Sequence, residues 1–203
     1  MTGRGDRPSR GEFRMSVLQD ICEWTRRSYD MRYKPEQVGF VFGTVGLGGR
    51  VMVKRAVLYR GGRRTMYGVT YDLAGMLRSR QNASRRFRLR ALGLFHSHVE
   101  IAGRAEYGLS DEDRESFAED EEAVVEAVVA VREADRAPKR TSKKVLFGFD
   151  REEGYAYNIR VYGKTRSGIR LLRVKVGHQP GGNEGRAPIW QRRQGYYAAA
   201  GSE

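Results

Sequence analysis

Cysteine is almost absent: the 203-residue chain has one, Cys22. A single thiol excludes an internal disulfide and fits a reducing compartment. Long hydrophobic runs are missing too. No stretch approaches the roughly 18 to 20 apolar residues that a membrane span needs. The opening MTGRGDRPSRGEFR has no apolar core segment, so no secretory signal is expected. A cytoplasmic protein without a membrane partner is the expectation. Acidic residues are outnumbered, 25 against 38 Lys and Arg, for a net charge of +13. That balance favours acidic partners, although a solvated basic surface explains the charge equally well.

The length suggests one domain with some tail at each end. Residues 1–14 are rich in Gly, Arg, Pro and Ser and read as a disordered tail. Residues 15–176 carry the pattern of a folded domain. Residues 177–203 again look tail-like, with Trp190, Tyr196 and Tyr197 as residues able to dock. Within the domain a helix is expected over Met15–Tyr29, with Val17, Leu18, Ile21 and Cys22 on one face. Cys22 is most simply a core residue. Strands are expected over 37–43, 50–59, 66–69, 89–98, 145–149, 154–162 and 169–176. Helices are expected from Tyr71 to Phe87 and from Ser110 to Ala134, the latter facing the core with Phe117, Val124, Val128 and Val131. The class is therefore α/β or α+β, a mixed sheet packed by helices.

Histidine is also scarce, with three in the chain, yet two of them form His96-Ser97-His98. Alternate residues of a strand project to one side, so both imidazoles can face one metal ion at a strand end. Alone, such a pair more often just makes hydrogen bonds. Zinc hydrolases add a third protein ligand and leave one position for water. Ser110-Asp111-Glu112-Asp113 offers Asp113 at a helix start. The same tetrapeptide reads as a capping box, and the two roles are compatible. Glu36, between Pro35 and an apolar strand, is a carboxylate badly suited to a core; an exposed strand-start residue is the plain reading.

Together these residues resemble the JAMM (MPN-plus) metalloprotease family. The resemblance rests on Pro35-Glu36-Gln37-Val38-Gly39-Phe40-Val41-Phe42-Gly43, on Gly93-Leu94-Phe95-His96-Ser97-His98 and on Leu109-Ser110-Asp111-Glu112-Asp113, in that order. It differs at Val99, where the family usually has proline. It differs again in a longer loop before Ser110, which ends in Leu109 rather than proline. The resemblance implies an MPN-type fold, similar to the cytidine deaminase-like architecture. It implies one zinc ion on His96, His98 and Asp113, with Glu36 as proton shuttle and Ser110 as hydrogen-bond donor to the oxyanion. It implies hydrolysis of a peptide or isopeptide bond after the C-terminal glycine of a ubiquitin-like modifier. Some relatives process sulfur-carrier proteins or small adducts instead.

The loop from Val99 to Leu109 contains Gly103 and Gly108 and is expected to be mobile until substrate orders it. A different class of function is nucleic-acid binding. Arg78, Arg80, Arg85, Arg86, Arg88 and Arg90 cluster around Phe87, and Lys139, Arg140, Lys143 and Lys144 form a second basic run. No recognised nucleic-acid motif accompanies them, and a solvated helix face is the plainer reading.

Overall fold

A computed structural model describes residues 7–65, 68–100, 107–138 and 144–177. In chain order the elements are β1 (Arg10–Arg14), α1 (Met15–Tyr29), β2 (Val38–Gly46), β3 (Arg50–Leu58), β4 (Arg63–Thr65), β5 (Gly68–Thr70), α2 (Leu73–Phe87), β6 (Arg90–Val99), α3 (Asp111–Glu119), β7 (Val125–Glu133), β8 (Leu146–Asp150), β9 (Tyr155–Thr165), β10 (Gly168–Leu171) and β11 (Arg173–Gly177). The class is α+β: one large, mainly stranded sheet with three helices.

The strands run in the order β10-β9-β7-β6-β2-β3-β1-β11, with β8 also paired to β9. β6 and β7 are parallel, as are β1–β3 and β1–β11; the other pairs in this sheet are antiparallel. Leu171 and Arg173 belong to strands at opposite ends of this order, with Leu172 alone between them. One residue spans only a few ångströms, so the sheet must curl until its two edges nearly meet. β4 and β5 form a separate hairpin.

The sheet is covered on both faces. α1 buries Val17, Leu18, Ile21 and Cys22 against Phe13, Val41, Val53, Leu92, Phe95, Val125 and Val129. On the other face α2 packs Met76 against Phe40, Phe42 and Tyr59, while Phe117 of α3 meets Leu109, Val128 and Tyr162. Buried Arg80 of α2 binds Asp120 at 2.6 Å and Glu122 at 2.8 Å, which ties the two helices' sides together.

Four expectations need correction. Residues 1–14 are not all tail, because Arg10–Arg14 form a strand hydrogen-bonded on both sides. The alternation that buries Gly11 and Phe13 is too short to stand out in a Gly- and Arg-rich segment. The sheet likewise reaches Gly177, one residue into the expected C-terminal tail, while residues 178–203, with Trp190, Tyr196 and Tyr197, lie outside the described residues. The helix from Ser110 ends at Glu119, not Ala134. Val124, Val128 and Val131 fit a helical period by accident: the run Val125–Glu133 is a central strand covered on both faces, and such strands read as continuous apolar runs of β-branched residues. The expected strand over 66–69 is the β4–β5 hairpin, with Met66 outside the described residues.

Candidate metal centre

β6 sets the centre by its alternation. Leu92, Phe95 and Val99 join the core under α1, while Leu94 packs toward α2 on the other face. His96 and His98 share that second face by the period of two. Gly93 makes the local geometry possible: its φ is +145°, and a Cβ there would collide with the Val125 carbonyl of β7. Both histidines are buried, each 7% exposed, with ring centroids 4.9 Å apart.

Asp113 comes from the first turn of α3. The turn is built by the expected capping box: the Asp113 N–H donates to Ser110 Oγ at 3.1 Å, and the Ser110 N–H donates to Asp113 Oδ2 at 2.8 Å. Asp111, Glu112 and Asp113 also complement the positive end of the helix dipole. The cap orients the carboxylate, and the same Oδ2 stands 3.4 Å from His96 Nε2 and 3.6 Å from His98 Nε2. Capping the helix and facing both imidazoles thus fall to one side chain.

These spacings fit a metal ion. Ligand atoms about 2.0 to 2.2 Å from a tetrahedral zinc stand roughly 3.3 to 3.6 Å from one another. One potential ligand atom from each of His96, His98 and Asp113 lies within 4.8 Å of the others. His96 Nε2 is buried and has no hydrogen-bond partner, a costly arrangement for a polar atom unless something else meets it. Two imidazoles and a carboxylate suit a first-row divalent metal. Burial would lower the His96 pKa, but the charges of Asp113 and Glu126, with the close Glu126 contact at Nδ1, outweigh it and hold it up at about 10. Burial likewise tends to raise Asp113, yet both histidines and Ser110 hold it far below the usual carboxylate range. A metal binding there would displace a proton from His96.

Glu36 does not belong to the ligand trio. It sits two residues before the start of β2, whose register pairs Val38 with His96. That register continues, since the Ser97 N–H donates to the Gln37 carbonyl at 2.8 Å; the next step sets Glu36 opposite His98. Facing residues of an antiparallel pair project to the same side, so Glu36 shares the histidines' face. Ser97, between the histidines, accepts from the Gln37 N–H at 2.8 Å. Gln37 Nε2 donates to Ser28 at 2.7 Å, and Ser28 donates to the Pro35 carbonyl. The Glu36 N–H donates to the Thr65 carbonyl of β4 at 2.8 Å. The Glu36 backbone is thus clamped from both sides.

One residue escaped the sequence reading. Glu126 of β7 is 5% exposed, and its Oε1 lies 2.9 Å from His96 Nδ1. The signal was a lone acid inside Val-Glu-Ala-Val-Val, hidden once the segment was read as helix. A cavity of about 560 Å³ opens between α2 and α3, lined by Phe40, Leu94, Phe117 and Arg80 and reaching Glu126.

The rest of the reading divides. Cys22 is buried, and burial pushes its thiol up. Arg78, Arg85, Arg86, Arg88 and Arg90 are exposed, but Arg80 is buried in ion pairs and Phe87 packs on Phe42 at 5.7 Å between ring centroids. Residues 139–143 and 101–106, which include most of the second basic run and Gly103, lie outside the described residues. No helix among the described residues is long and apolar enough to cross a membrane.

No family model matches the chain, and no curated protein matches it. The fold is similar to the solution structure of protein DSY2949 from Desulfitobacterium hafniense, with a TM-score of 0.54 at 14% identity over 83% of this chain and 94% of that one. A likeness at that identity concerns the fold alone.

Proposed function

We propose that the chain is a zinc hydrolase of the JAMM type, acting after the C-terminal glycine of a ubiquitin-like modifier. The observation that carries this is the convergence of His96, His98 and Asp113 at ligand spacing, with Glu36 held in register with His98. A bound zinc supplies Lewis acidity and lowers the pKa of a water to about 7. Glu36 takes the proton of the attacking water and returns it to the leaving amine. Ser110 Oγ accepts from Asp113, which leaves its own hydroxyl proton for the developing oxyanion. The β4–β5 hairpin lies against Glu36 through Thr65. Among the described residues no strand pairs with the outer side of β5, so an extended tail has an edge to pair with there. Release of a sulfur-carrier protein or a small adduct would use the same centre with a different leaving group. The proposed setting is the cytoplasm.

The test pairs metal analysis with cleavage. Protein purified without chelator is expected to carry one zinc per chain and to cut a fusion placed after a ubiquitin-like Gly-Gly end. The Glu36→Gln protein should hold zinc and leave the fusion intact. A zinc-loaded parent that cuts no modifier fusion, but hydrolyses a sulfur-carrier adduct, would move the substrate assignment. A parent without zinc would remove the centre.

A further inference from the structure

We infer that Glu126 is the positioning residue of the metal centre: its carboxylate fixes His96 with the proton on Nδ1 and the lone pair of Nε2 turned toward Asp113. The inference rests on the zinc reading above. It starts from an oddity of β7. Residues 125–131 are all buried, and Glu126 is the sole charged residue among them. A carboxylate there is costly to strip of water unless it is paired. Nothing in the packing of the strand asks for it, since Val125, Ala127 and Val129 fill the α1 face and Val128 packs under α3.

What Glu126 does meet is the far side of the first ligand. In the parallel β6–β7 ladder Leu94 pairs with Glu126 and His96 with Val128, so Glu126 stands one step diagonally from His96 on the same face. Its Oε1 is 2.9 Å from Nδ1, while Nε2 on the opposite edge of the ring lies 3.4 Å from Asp113 Oδ2. An acceptor on Nδ1 settles which nitrogen is left for a metal. It also makes the ring a better donor and stops it rotating about its χ2 axis, the usual work of a carboxylate behind a ligating histidine. Of the charged groups nearby, Lys164 of β9 feels the Glu126 charge and Asp113 acts on the same His96 ring.

Two variants separate positioning from mere stability. Glu126→Gln keeps an oxygen that can accept from Nδ1–H. Glu126→Leu keeps the volume, removes the acceptor and suits its apolar strand, so the sheet should survive. Competition with a chromophoric chelator is expected to show zinc held about 10- to 100-fold more weakly by the Leu protein, with the Gln protein in between. The zinc-loaded parent should give a downfield, slowly exchanging Nδ1–H proton resonance for His96, absent from the Leu protein. Equal zinc affinity in all three folded proteins would overturn the role of Glu126 and leave the metal centre standing. The same Nδ1–H resonance in the Leu protein would overturn it too. Absence of zinc from the parent as well would overturn both.

Discussion

The two faces of one sheet treat buried titratable groups in opposite ways. Under α1, Cys22 sits among Val17, Leu18, Ile21 and Phe95, and burial drives its thiol upward into inertness. Across the sheet, His96 is also buried, yet two carboxylates outweigh desolvation and raise its pKa to about 10. Burial alone makes a group silent; burial with arranged charge makes a site. Adjacent residues of β6 serve the two purposes, Phe95 facing one way and His96 the other.

The largest effect that sharpens this contrast comes from neighbouring substitutions. His96→Ala should abolish zinc binding, read as metal per chain, while the chain stays folded. Phe95→Ala, one residue away, should cost about 3 to 5 kcal/mol of stability, read by urea unfolding, and leave the ligand set intact. If Phe95→Ala released zinc from a folded chain, the two faces would not be independent.

Next is Glu36→Gln. It leaves the trio untouched and should lower hydrolysis by about 10²- to 10⁴-fold with zinc content unchanged. Wild-type turnover in that protein would remove Glu36 from the chemistry.

A smaller effect follows from pH. His96 has a raised folded pKa, so its contribution to the metal-free fold is complete below the unfolded value of about 6.5 and is lost as pH rises toward about 10. Asp113 has a lowered one, so its contribution is complete above about 3.9 and is lost as pH falls. The metal-free protein should therefore be most stabilised by this pair between about pH 4 and 6.5. Zinc must displace the His96 proton, so its apparent affinity should fall about tenfold per unit of acidification near neutrality. A flat zinc affinity from pH 6 to 8 would contradict the proton inventory.

The smallest effect belongs to the silent face. Cys22 should resist a thiol reagent in the native protein and react once per chain after unfolding. Rapid native labelling would mean that the α1 face opens.

How far the sequence carried the argument varies with the range of the forces. α1 runs Met15–Tyr29 as its spacing suggests, because i, i+3, i+4 periodicity is a local property. The Ser110–Asp113 cap formed as read, since its bonds close within four residues. β1 and β7 were illegible for the converse reason. Arg10–Arg14 is a strand because β3 and β11 lie on either side of it. Val125–Glu133 is a strand because β6 and β9 pair with it along its length. Those partners are distant in sequence, and intrinsic preference yields to them.

The candidate site divides along the same line. Residue type and order alone were enough to single out His96, His98, Asp113, Ser110 and Glu36, because few other residues offer imidazole or a carboxylate next to an apolar strand. That His96 and Asp113 stand 3.4 Å apart, that Ser97 clamps Gln37 and so Glu36, and that Glu126 backs the first histidine came from folding. Each joins residues of different elements. Only the curled, doubly covered sheet brings such elements to within a hydrogen bond, and only its dry interior makes a misplaced charge costly enough to matter.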